Sequence, residues 1–225
     1  MLPRRRLTGL FLAGSAALAL APLQAAADDA APCNAWELDY DLAANVQISD
    51  TMMGAGDGVY HIGPGTMKLR FENQNGQPGG AVKMIGYDMK DSFTVDATRI
   101  LGGTKVNNET RTTVTYNVCG VAAEGTLRDR VVRWSTLVNG MHTDGKVTCE
   151  GSFCGRFGAP PRGTSDVHTA AHPVVFKPLE LSADLKTFTM GWSVTAKSST
   201  PSQTSRIAIA GRETRRACVA VKPCP

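Results

Sequence analysis

Side chains that alternate between apolar and polar at every second position dominate this chain, and they restrict it to pleated strands buried on one face. In Trp36-Glu37-Leu38-Asp39-Tyr40-Asp41-Leu42 the apolar residues fall on one side and the acids on the other. The same pattern runs through Met67, Leu69 and Phe71 between Lys68, Arg70 and Glu72. It recurs in Val114, Tyr116 and Val118, and in Phe188, Met190, Trp192 and Val194, with Ile207 and Ile209 beyond a polar loop. Val82 to Tyr87, Phe93 to Val95, Val131 to Trp134 and Val174 to Leu181 are less regular but rich in strand-forming residues, which makes about nine strands in all. No helical stripe at i, i+3, i+4, i+7 persists for more than about ten residues, so long helices are not expected.

Asn75-Gly76, Asn139-Gly140 and Asp144-Gly145 are predicted to be hairpin turns, because these pairs tolerate positive φ. Gly54-Ala55-Gly56-Asp57-Gly58 and Gly63-Pro64-Gly65 read as loops, with no helix behind them whose amides could cradle phosphate. Gly158 to Pro173 and Lys197 to Ser205 read as longer irregular stretches. A chain of this kind must cover its sheet edges. The expected fold is therefore all-β, an antiparallel meander forming a barrel or a barrel-like sandwich. The Cys…Trp…Cys arrangement of immunoglobulin domains is missing, which tilts the choice toward the barrel.

Six cysteines follow a segment with the marks of an export signal. Arg4, Arg5 and Arg6, the apolar run Leu7 to Leu20 and the small residues Ala25, Ala26 and Ala27 match a secretory signal peptide cleaved after Ala27. The apolar run is shorter than the roughly twenty residues that span a bilayer, so no transmembrane segment is expected. The reading is thus a signal peptide over residues 1–27, then a single all-β domain over residues 28–225, with Asp28 to Pro32 as a loose leader. In an oxidising compartment the cysteines should form three disulfides. Spacing favours Cys149 with Cys154 and Cys218 with Cys224, leaving Cys33 for Cys119, although six cysteines permit 15 pairings. The expected location is the periplasm or the cell exterior.

Of the 24 Lys and Arg residues, three leave with the signal, so 21 bases face 20 acids. That balance supplies no concentrated basic face for nucleic acid or for an obligatory anionic membrane partner.

Asp166, His168 and His172 form the sharpest local constellation, for on a helical turn two imidazoles four residues apart can share one metal ion, with His61 or His142 completing the site. Pro173 argues against it by biasing His172 away from helical angles, which leaves the pair solvated. Met141 beside His142, with Met52 and Met53, suggests a copper ligand set, whereas Met67 and Met190 fall on apolar strand faces as core filler. Glu37, Asp39 and Asp41 read as a solvated strand face rather than an acid–base pair. The sequon Asn108-Glu109-Thr110 reads as the approach to a turn, and Arg206, Arg212, Arg215, Arg216 and Lys222 form an interrupted basic cluster.

Neither a Gly-x-Ser-x-Gly elbow nor a Ser-x-x-Lys or His-Glu-x-x-His motif occurs, so a non-enzymatic role without cofactor is expected. The sequence is read as an exported binding or interaction module. Its strands would enclose a small apolar ligand or lipid beside Trp36, Tyr40, Phe71, Trp134 and Trp192. One alternative is a metal-binding protein or metal-dependent enzyme using His168 and His172. The other is a structural envelope component with a filled core and a protein partner.

Overall fold

Alternation of this strictness yields strands that bury one face, and every regular element among the described residues of the computed structural model is a β-strand. The described residues are 33–50, 58–97, 103–156, 159–174, 176–197 and 202–224. The signal segment, the leader, Met52, Met53 and Gly54 to Asp57 lie outside them. The strands are β1 (Ala35–Asp50), β2 (Gly58–Gln74), β3 (Gln77–Ala97), β4 (Thr104–Val114), β5 (Ala123–Arg128), β6 (Val131–Trp134), β7 (Val138–Glu150), β8 (Gly163–Val174), β9 (Leu179–Leu181), β10 (Thr187–Lys197) and β11 (Ser202–Val219).

Eight of them close a barrel in the order β1-β2-β3-β5-β6-β9-β10-β11, with β11 returning to β1. All pairings are antiparallel. Closure removes the free edges that an open sheet of this size would present. The chain leaves the barrel twice, once for β4 and once for β7 and β8, and these three strands form a wing. The wing hangs on β3, whose residues 81–84 pair with β5 in the barrel while residues 88–97 pair with β4. Asn75 and Gly76 make the β2–β3 turn with φ of 52° and 84°, the two positive values that a tight hairpin requires.

The barrel interior is filled by the chain's own side chains. Leu38, Leu69, Phe71, Val82, Met84, Val132 and Leu179 are fully buried. Tyr40 stacks edge-to-face on Phe188 with ring centroids 5.1 Å apart, and its hydroxyl donates to the carbonyl of Leu185 at 2.8 Å. The outer wall faces water instead. It carries cross-strand ion pairs from Lys68 to Asp39 (3.2 Å), Arg70 to Glu37 (2.6 Å) and Lys83 to Glu124 (3.2 Å). No helix among the described residues is long and apolar enough to cross a membrane.

Several expectations are corrected. Asn139-Gly140 and Asp144-Gly145 lie inside β7 rather than in turns. At Gly145 a Cβ would overlap the backbone of Glu109 and Thr110 on β4, so glycine serves close strand approach there. Gly63-Pro64-Gly65 is part of β2, and Asn108-Glu109-Thr110 part of β4. Most of the stretch from Gly158 to Pro173 is β8, in which Thr164, Val167 and Thr169 suit a strand and Pro173 is tolerated because β8 is an edge. Likewise β11 begins at Ser202. Tyr116 and Val118 do not continue β4, which ends at Val114.

The cysteine pairing also differs. Cys149 does join Cys154, but Cys33 joins Cys218 and Cys119 joins Cys224, with Cα separations of 5.8, 5.4 and 5.8 Å. Barrel closure is the reason. It makes the first and last strands neighbours, with Trp36 opposite Cys218, so proximity in sequence is the wrong guide. In the chain-entropy model the 185-residue closure at Cys33 contributes about 5 kcal/mol.

Candidate functional site

Past β11 the chain runs on as a short tail that is tied down twice. Asn34 clamps it with a reciprocal amide pair, its Nδ2 donating to the carbonyl of Val221 at 2.8 Å and its Oδ1 accepting the Val221 N–H at 2.7 Å. The Cys119–Cys224 disulfide then anchors the tip to the segment after β4. That segment is itself fixed, because Asn117 Oδ1 accepts the N–H groups of Cys119 and Val121 at 2.9 and 3.0 Å, and Gly120 supplies a φ of 68°. Beneath the tied tail a solvent-open groove of about 550 Å³ remains on the outer barrel wall.

The floor of this groove is set by strand alternation. Phe71 and Val82 point inward and are fully buried, so their neighbours Arg70, Glu72, Ala81 and Lys83 point out into it. Val118 and Val121 from the segment after β4, and Val221, Lys222 and Pro223 from the tail, complete the lining. Val118 is 99 % exposed. The lining holds three cations, Arg70, Lys83 and Lys222, against one carboxylate, Glu72. They are not equally available. Arg70 spends two N–H groups on Glu37 Oε1 at 3.0 and 2.6 Å. Lys83 faces Glu124 in a half-exposed pair, whereas Lys222 has no ion-pair partner among the described residues. The groove is thus concave and open, with apolar and charged side chains side by side in its lining.

The aromatic residues expected around an interior ligand are dispersed. Tyr40 and Phe71 lie in the packed core. Trp36 is half-buried at the start of β1, its indole N–H donating to Asn73 Oδ1 at 3.4 Å. Trp134 packs against Phe176 at 6.4 Å, and its buried indole N–H has no hydrogen-bond partner among the described residues. Trp192 stands opposite Ile207 in β10, and its side chain lies outside the described residues.

Asp166, His168 and His172 share β8 rather than a helical turn. Residues four apart on a strand are about 13 Å apart, beyond the reach of two imidazoles to one ion. His168 instead meets Asp144 across the β7–β8 ladder, Nδ1 to Oδ1 at 2.5 Å. His142 is engaged with Thr113 Oγ1 at 2.8 Å. Among the described residues no three His, Cys, Asp or Glu side chains are grouped to hold a metal ion.

Ionisation is perturbed both in the barrel core, at Tyr40, and where β3 joins the wing, at Tyr87, Asp88 and Asp91. Burial pushes the Tyr40 and Tyr87 phenols up. It also raises Asp91, against the opposing hydrogen bond from Thr112. By contrast, the hydrogen bond from Arg111 holds the Asp88 carboxyl low.

The groove residues were legible only in part. Arg70 and Glu72 read as the wet face of a strand, and Lys222 as one member of a basic cluster. The signal that joins them, the Cys119–Cys224 bridge, is hidden behind the tighter sequence spacing of Cys218 and Cys224. No family model, curated protein or solved structure matches this chain.

Proposed function

We propose that the protein is an exported binding or interaction module that works through its outer groove rather than through the barrel lumen. One observation carries this reading: a groove of about 550 Å³ is built by a disulfide-tied tail on a barrel whose interior is filled by side chains such as Phe71, Leu69 and Met84. Three disulfides and an export-type leading segment support a location in the periplasm or outside the cell. Native mass spectrometry of the disulfide-intact protein from its own host tests the reading. The expected result is a bound small molecule that Val118→Asp, a change at a fully exposed groove residue, releases. A bare chain, or a bound mass that Val118→Asp leaves in place, would sink it.

A second reading, a structural envelope component with a protein partner, is favoured by a different observation. Tyr116, Val118 and Leu137 are exposed apolar residues in the two surface depressions that Val121 borders. Exposed apolar side chains gathered in this way mark interaction surfaces. The same spectrum would then carry a second polypeptide in place of a small ligand.

A further inference from the structure

We infer that the groove selects an amphiphile with one alkyl or acyl chain and an anionic carboxylate or phosphate head. The inference rests on the binding-module reading and names the ligand class of that site.

The apolar requirement comes from the walls. Val118, Val221 and Pro223 line the groove together with Ala81 and the already buried Val121, and Val118 is almost wholly exposed. An alkyl chain laid between the tail and the turn after β4 would take the apolar surface of Val118, Val221 and Pro223 out of water.

The charge requirement comes from the rim. Lys222 sits on the tail two residues before the Cys119–Cys224 bridge, which fixes its backbone beside the groove while its ammonium has no ion-pair partner among the described residues. Lys83 lies on the floor, and its contact with Glu124 is a half-exposed surface pair, with both side chains more than 40 % accessible. Exposed pairs of that kind are weak because water screens them, so an incoming anion can take the place of Glu124 at little cost. Arg70 stays with Glu37 and is not recruited. Glu72 is the one carboxylate in the lining, and its Oε2 accepts the N–H of Ala81 at 3.4 Å. Two available ammonium groups at the edge of an apolar trough complement a single anionic head on an apolar chain. They would repel a cationic one.

The test is isothermal titration of the disulfide-intact protein with three soluble probes of equal chain length: laurate, dodecyl phosphate and dodecyltrimethylammonium. The expected result is one molecule of laurate or dodecyl phosphate per chain, bound at least about tenfold more tightly than the cation. Lys222→Glu breaks no ion pair, so it should fold normally while lowering laurate affinity about tenfold and narrowing or reversing the preference. Cys119→Ser with Cys224→Ser should weaken all three probes, because the tail would no longer be held over the groove; the melting curve of that variant separates loss of the site from loss of the fold. Equal affinity for anion and cation, or indifference to Lys222→Glu, overturns the head-group assignment and leaves the groove standing. If none of the three probes binds, groove and ligand class fall together. Association with phosphatidylglycerol vesicles without stoichiometric laurate binding would assign the same residues to a bilayer surface, and so overturns the inference too.

Discussion

The barrel and its wing are made of the same kind of strand, yet they are held by different forces. In the barrel, β1, β2, β3 and β10 turn large apolar side chains to the inside, where Leu38, Phe71, Met84 and Phe188 are at most 1 % exposed. In the wing, β4, β7 and β8 carry a face of threonines and asparagines joined by hydrogen bonds. The Thr112 hydroxyl donates to Asp91 Oδ2 at 2.8 Å, so the Thr143 hydroxyl, 2.9 Å away, must donate to Thr112. Asn108 Nδ2 donates to the carbonyl of Asp91 at 2.6 Å. Burial is non-directional and tolerates repacking. A polar ladder depends on partners that cannot be exchanged. The barrel should therefore set global stability, and the wing should open first.

The largest expected effect is at the barrel centre. Phe71→Ala removes a fully buried ring, and large-to-small changes of this type cost about 3–5 kcal/mol. Urea unfolding should show that loss, and a change below about 1 kcal/mol would break the contrast at its strong end. Next comes Gly145→Ala in the wing. Its Cβ would meet the Glu109 backbone, and φ is 152°, so a loss of about 2–3 kcal/mol is expected from overlap and strain. Amide exchange in β7 and β8 should accelerate while β1 and β2 stay protected. Equal loss of protection in both would mean that barrel and wing unfold as one unit.

A smaller effect sharpens the barrel side of the comparison. Tyr40→Phe keeps the ring against Phe188 but leaves the Leu185 carbonyl without its buried donor, at a cost of about 1–2 kcal/mol. Leu185 itself holds a φ of 61°, a conformation that leucine avoids, and the Tyr40 hydroxyl is one of the contacts that keep it there. A Tyr40→Phe protein as stable as the parent would show that packing alone fixes this corner.

The same contrast explains what could be read from the residues in advance. The strands β1, β2 and β10 were legible because burial on one face imposes a strict period of two, from Trp36 to Leu42 and from Phe188 to Val194. The wing was not. Its buried apolar residues, Val138 and Cys149 in β7 and Val114 in β4, stand near strand ends with a polar stretch between them, so β7 and β8 offer no apolar period, and Gly145 imitates a turn signal while serving close approach between strands. Tyr40 and Phe71 were legible as inward residues, but alternation alone does not say whether an inward face closes on itself or on a ligand. The groove was hidden for a topological reason. Val118 and Lys222 are brought together only because β11 returns to β1 and carries the tail across to Cys119, and no local spacing encodes that return.

The smallest prediction concerns pH, and it sets two neighbouring carboxylates against each other. Burial raises Asp91 above the ordinary carboxylate range, so the folded protein holds that proton more tightly than the unfolded chain does. Its ionisation therefore subtracts stability as pH rises from the ordinary carboxylate range through the raised value. Asp88 behaves in the opposite sense. The hydrogen bond from Arg111 lowers it, so its contribution is present above the ordinary value and fades as pH falls. Asp91→Asn keeps an oxygen to accept from Thr112 and removes the buried charge. It should raise Tm by about 2 °C at neutral pH and give no gain near pH 3, where the wild-type carboxyl is already protonated. Asp88→Asn should lower Tm at neutral pH and be without effect at the acid end. If both variants shift Tm in the same direction at neutral pH, the wing's ladder tolerates the buried charge as well as the exposed one, and its description as a network of fixed polar partners fails.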